Sequence, residues 1–103
     1  MEFTITTYQI LINKRLNADE INNVNKNIEN TSISGNIPRP IIPVRVFKNK
    51  TETVIAIIGN VGNYHDLILS NIENEFNVRA YFINDKHAQK IFDDIDENYF
   101  DYL

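Results

Sequence analysis

The order of apolar and polar residues along the chain separates strand-like from helix-like segments. Phe3 to Ile12 is rich in Thr, Ile and Tyr, with β-branched residues on both faces, and reads as a first strand. Asn17 followed three residues later by Glu20 fits a helix start, an Asx cap with a capping-box acid. Ile21, Val24 and Ile28 then recur at i, i+3 and i+7, which gives one narrow apolar face. Five asparagines within that helix lower its intrinsic propensity, so packing has to hold it. Asn30 to Pro40 reads as a loop, extended around Arg39, which lies between Pro38 and Pro40.

Ile41 to Lys48 and Glu52 to Ile58 read as two strands joined by a turn at Asn49-Lys50. Pro43 cannot donate a ladder hydrogen bond, which places the second strand at a sheet edge. Val54 to Ile58 is apolar on both faces, the mark of a central strand. After Gly59-Asn60-Val61-Gly62, a helix from Asn63 to Glu75 carries Tyr64, Ile68 and Ile72 at four-residue spacing, continued by Phe76. Val78 to Ile83 reads as a fourth strand. Asp85 opens a last helix whose stripe, Ala88, Ile91, Phe92, Ile95, Tyr99 and Tyr102, runs to the end of the chain. The order β-α-β-β-α-β-α predicts an α+β fold. Its core, residues 1–84, is a ferredoxin-like βαββαβ unit with a four-stranded antiparallel sheet, and residues 85–103 add a C-terminal amphipathic helix within one domain. The two crossover helices leave one sheet face uncovered. The terminal helix, a second copy of the chain or another partner is expected to cover it.

Composition changes this picture little. A chain of 103 residues and 12.0 kDa has room for one core, and 17 isoleucines and 16 asparagines record a biased composition, not a mechanism. The absence of cysteine excludes disulfides, a thiolate nucleophile and Cys-type zinc sites. The longest aliphatic run, Val54 to Ile58, is far too short to span a bilayer, and the N-terminus lacks a signal-peptide pattern. A cytoplasmic location is the expectation, with the sequons at Asn30 and Asn49 unglycosylated.

Charge changes it more. Residues 1–92 hold all ten basic residues and nine acids, a net of +1. Residues 93–103 hold no base and five acids, Asp93, Asp94, Asp96, Glu97 and Asp101, a net of −5. Such a segment repels nucleic-acid phosphates and favours basic partners, although a solvated helix face has the same composition. Acids near a helix C-terminus also oppose the helix dipole, which points to fraying or to a use for the charge.

Chemistry-bearing motifs are few. Gly59-x-x-Gly62 sits between a strand and a helix, where backbone N–H groups could hold a phosphate with help from Asn60 and Asn63. No Walker lysine or third glycine accompanies it, and a tight turn with Asn63 capping the helix is the favoured reading. His65, Asp66, Asp85 and His87 match no metal-ligand spacing. Ser32, Ser34 and Ser70 have no identifiable base, and Asp93-Asp94 project about 100° apart on a helix, unlike a glycosidase pair. Arg39, Arg45, Lys48 and Lys50 cluster around the second strand with Phe47, but the third strand has no aromatic and only Tyr8 could stack a base.

The sequence therefore predicts a protein without catalytic activity, metal or cofactor. It reads as a protein-binding module of inhibitor or immunity type that masks a basic site on a toxin or defence enzyme. Asp93, Asp94, Asp96, Glu97 and Asp101 would steer the encounter, and Tyr99, Phe100 and Tyr102 would anchor it. The alternative is a homodimeric small-ligand or nucleotide-sensing domain that dimerises through the open sheet face and binds at Gly59, Asn60, Gly62 and Asn63. A nucleic-acid-binding edge at Arg45, Lys48 and Lys50 ranks third.

Overall fold

The computed structural model describes residues 7–34, 41–59, 61, 64–93 and 100–101. Its elements are β1 (Thr7–Ile12), α1 (Ala18–Ser34), β2 (Ile42–Lys48), β3 (Thr53–Ile58), α2 (His65–Phe76), β4 (Ala80–Ile83), α3 (Asp85–Asp93) and β5 (Phe100–Asp101). The fold is α+β. An antiparallel sheet of order β4-β1-β3-β2-β5 has β1 and β3 at its centre. Every residue of β3 is buried except Ile58, which is half-buried, as expected of a strand with apolar residues on both faces.

Strand alternation sorts the sheet residues between its two faces. On the first face, Ile10, Ile12, Val46, Ile55, Ile57 and Ala80 pack against Ile21, Val24 and Ile28 of α1 and Ile68 and Ile72 of α2. The reciprocal bonds expected at the start of α1 are present. Glu20 N donates to Asn17 Oδ1 at 2.8 Å, and Asn17 N donates to Glu20 Oε1 at 3.1 Å. On the second face, Leu11, Phe47 and Val54 pack against Ala88 and Ile91 of α3, with Ile83 and Phe92 at the margin. The terminal helix is thus the element that covers the face left open by α1 and α2. Asn84 caps it, its Oδ1 accepting from His87 N at 2.8 Å.

Two boundaries differ from the sequence expectation for physical reasons. The first helix continues through Asn30 to Ser34 because α2 holds its last turns. Thr31, buried, donates to Asn27 O at 2.8 Å and accepts from Asn71 Nδ2 of α2 at 2.8 Å, and Asn27 is bonded to Glu75. Tertiary contacts override the low propensity of the asparagines. At the other end, α3 is described over Asp85–Asp93, and Phe100 and Asp101 form β5, paired with Phe47 and Val46 of β2. A helix continued to the C-terminus would place five acids, Asp93, Asp94, Asp96, Glu97 and Asp101, toward its negative end, while the outer edge of β2 offers unpaired backbone groups. The expected continuous acidic helix over residues 85–103 is therefore corrected at Phe100 and Asp101. Residues Asp94, Ile95, Asp96, Glu97, Tyr99 and Tyr102 lie outside the described residues.

Pro43 sits at a register shift between Pro43 and Arg45 in the β2–β3 pairing, clear of the β5 contact. Val44 is the extra residue of this bulge. The β1–α1 connection is fastened to the β2–β3 turn by side chains. Thr53 Oγ1 accepts from Leu16 N at 2.9 Å and donates to Lys14 O at 2.8 Å. Lys48 Nζ donates to Leu16 O at 3.0 Å, and Arg15 Nη1 donates to Asn49 O at 2.6 Å. Among the described residues no helix is long and apolar enough to cross a membrane.

Candidate functional site

Of the residues expected to bind a partner, the structure describes Asp93 and the backbones of Phe100 and Asp101. Asp93 is the last described residue of α3, is exposed, and accepts from Gln89 Nε2 at 2.9 Å. Phe100 and Asp101 form β5 on the outer side of β2. The described residues of the acidic segment thus belong to elements that pack on or pair with the sheet.

The expected phosphate turn is only partly described, since Asn60, Gly62 and Asn63 lie outside the described residues. Gly59 has φ 139°, a conformation that favours glycine. Val61 N donates to Gly59 O at 3.1 Å and Tyr64 N donates to Val61 O at 2.7 Å. These two N–H groups are used inside the turn and are not free to bind an anion. The residue preceding α2 is Tyr64, which makes no side-chain cap bond.

The two histidines do not meet. His65 packs at the start of α2 on the first face, with ring centroids 4.7 Å from Phe82 and 6.0 Å from Tyr8. His87 is exposed on α3, across the sheet. Among the described residues no group of three or more His, Asp or Glu is placed to hold a metal ion. Tyr8 faces α2 with His65 and Phe82, so it is not on the sheet face where a base-stacking aromatic is needed. Arg45 and Lys48 do not form one basic patch either. Lys48 reaches Leu16 O beside the first face, whereas the Arg45 guanidinium lies on the second face, 5.0 Å from the Phe47 ring centroid and 5.3 Å from that of Phe92. Arg39 lies outside the described residues.

The second face carries a feature the sequence reading passed over. Beside the N-terminal half of α3 a groove of about 510 Å³ is lined by Thr7, Gln9, Val44, Arg45, Ala56, Asp85, Ala88 and Gln89. Gln9 is 8% exposed, and its Oε1 is buried without a hydrogen-bond partner. Arg45 Nε is likewise buried and unpaired. The available signal was Gln9 itself, a polar residue two positions before Leu11 and therefore on the same face of a central strand. The chain matches no protein-family model, no curated protein and no solved structure.

Proposed function

We propose that the chain is a ferredoxin-like βαββαβ module with an appended C-terminal element, and that it works as a non-catalytic, cytoplasmic protein-binding module of inhibitor type. The element order and the antiparallel order β4-β1-β3-β2, with β1 and β3 central, support the fold reading. The observation that carries the functional reading is the anchoring of the acidic segment. Five acids and no base occupy residues 93–103, of which Asp93 belongs to a helix docked on the sheet and Phe100 and Asp101 pair with β2. A concentrated negative charge held near a rigid sheet attracts a basic protein surface and accelerates the encounter. Aromatic residues interleaved with the acids, Tyr99, Phe100 and Tyr102, supply the contact area that charge alone lacks.

The test compares the full chain with a variant carrying Asp93→Asn, Asp94→Asn, Asp96→Asn, Glu97→Gln and Asp101→Asn. Both are immobilised, exposed to lysate of the source cell, and washed at low and high salt. Support is a basic protein held by the native chain, released by salt, lost from the variant, and bound again by the native chain when purified. Circular dichroism first establishes that the variant is folded. If a folded variant retains the same proteins as the native chain, the reading is wrong.

A further inference from the structure

The two sides of the sheet are finished differently. On one side β5 pairs with the outer edge of β2, whereas nothing among the described residues pairs with the outer edge of β4. The β1–β4 ladder fixes which backbone groups of β4 point outward. Asn13 N donates to Arg79 O at 3.1 Å, which makes these two residues a hydrogen-bonded pair. Alternation along the ladder then gives Tyr81 opposite Leu11 and Ile83 opposite Gln9 as the further hydrogen-bonded pairs. Ala80 and Phe82 stand between them, so their N–H and C=O groups point away from β1. These are the outward donors and acceptors of a four-residue strand.

One of those donors is already taken. Ala80 N donates to Glu73 Oε2 at 3.2 Å, a bond supplied by a side chain that reaches from α2 to the outer side of the strand. A strand meeting this edge therefore finds Phe82 N–H alone to accept from, too little for a ladder. Charged side chains commonly close sheet edges in this way. Without that bond the edge fits a second copy of itself. Two antiparallel β4 strands related by a two-fold axis at Tyr81 would set Ala80 opposite Phe82 of the partner subunit, and each outward donor would meet an outward acceptor. Tyr81 lies opposite Leu11, hence on the second face, where α3 packs on Leu11, Val54 and Phe47 and leaves Tyr81 45% exposed. At the axis the two Tyr81 side chains would form a cross-strand aromatic pair.

We propose that β4 is a guarded pairing edge: the bond from Ala80 N–H to the Glu73 carboxylate closes it in the single chain, and loss of that bond lets β4 pair antiparallel with β4 of a second copy. The contact is autoinhibitory, since it holds the chain monomeric by occupying a donor that the shared ladder needs. The occupant is a second copy because the outward groups and the exposed Tyr81 complement themselves under two-fold symmetry. This edge lies across the sheet from β5, and the proposal stands whether or not the acidic segment binds a protein.

The experiment measures self-association of the full chain by analytical ultracentrifugation from micromolar to millimolar concentration. The native chain and Glu73→Gln, whose amide oxygen still accepts from Ala80 N, are expected to stay monomeric. Glu73→Ala removes the acceptor, and Glu73→Asp keeps the charge on a side chain one methylene shorter, which withdraws it from Ala80 N. Each should self-associate at least about tenfold more tightly than the native chain, because each copy gains an N–H for the shared ladder. Adding Tyr81→Lys to either should weaken that association about tenfold or more, and the Phe82 amide of the ¹⁵N-labelled associated form should become protected from exchange. Circular dichroism establishes that each variant is folded, and Glu73→Asp keeps the test decisive if Glu73→Ala unfolds. Folded variants that associate no more tightly than the native chain would overturn the proposal. So would a native chain that associates as tightly as they do, or an association indifferent to Tyr81→Lys that leaves the Phe82 amide unprotected.

Discussion

Replacing Thr53 by valine tests whether a single hydroxyl fastens the β1–α1 connection to the sheet. Thr53 is fully buried, and its Oγ1 accepts from Leu16 N and donates to Lys14 O. Valine has nearly the same shape and keeps the apolar contacts, so a transfer argument alone predicts no loss or a small gain. The hydrogen bonds predict the opposite. Leu16 N–H is buried with no other acceptor among the described contacts, and leaving it unpaired costs about 1–3 kcal/mol. Lys14 O is partly buried and adds about 1 kcal/mol, for a total of about 2–4 kcal/mol. Serine keeps the hydroxyl and loses one methyl, which costs about 1 kcal/mol. Against a typical domain stability of about 5–15 kcal/mol, the valine variant forfeits a substantial fraction. Urea unfolding at neutral pH separates the two effects, because an unchanged m-value makes the shift in midpoint a change in stability. The expected order is native, then Thr53→Ser, then Thr53→Val, with the valine variant melting at least about 8 °C below the native chain. A Thr53→Val variant as stable as Thr53→Ser would refute the reasoning.

Other perturbations read other parts of the structure. Asn17→Ala removes the side-chain acceptor for Glu20 N and should lower stability by about 0.5–2 kcal/mol in a thermal melt; no loss would mean that the helix start is set elsewhere. The Glu20 carboxyl is held below the usual carboxylate range, first by its hydrogen bond from Lys14 and then by that from Asn17 N. Its contribution is present above the ordinary carboxylate value and is lost as the pH falls through the lowered one. Glu20→Gln keeps a capping acceptor but gives up the Lys14 attraction, so it should flatten the acid limb of stability against pH while costing no more than about 1 kcal/mol at neutral pH. An acid limb as steep as that of the native chain in urea melts would exclude Glu20 as a source of the dependence. Ile91→Ala, at a buried position of α3, should cost about 2–5 kcal/mol. Amide exchange should then accelerate along α3 while protection in α1 and α2 falls only to the new global limit, and uniform acceleration would show that α3 does not open separately.

Legibility in the sequence follows from whether a feature is local. The central position of β3 is written in Val54 to Ile58 because both parities are apolar. The apolar face of α3 is likewise written in Ala88, Ile91 and Phe92, although the sequence alone leaves open whether that face meets this sheet. The reciprocal pair Asn17 and Glu20 is legible because both partners lie within one turn. By contrast, Phe100 and Asp101 lie within a helical spacing that continues through Tyr99 and Tyr102, and only the free edge of β2 turns them into a strand. The extension of α1 to Ser34 depends on Asn71 of α2 bonding to Thr31, a contact 40 residues apart. Nothing near Thr53 announces that its hydroxyl will serve Leu16, 37 residues away. Gln9 and Tyr8 fall between these cases. Period-two alternation from Ile10 and Ile12 assigns Tyr8 to the helix-covered face and Gln9 to the other, once it is known which face each helix covers.

The two faces of the sheet are finished differently, and the difference is concentrated at Gln9. Two helices of 17 and 12 residues close the first face over a continuous aliphatic layer, whereas α3 has nine residues and is about 14 Å long. It covers the row of Leu11, Val54 and Phe47 and leaves the next row, Gln9, Ala56 and Arg45, at its flank. An apolar residue at position 9 would extend the covered layer without any unpaired atom. Glutamine instead retains a buried, unpaired Oε1, a cost of about 1–3 kcal/mol. Gln9→Leu tests that cost directly: it should raise the urea midpoint, by up to about 3 kcal/mol in stability. If Gln9→Leu instead destabilises the chain, the amide is held by contacts within the fold, and its burial is a packing requirement.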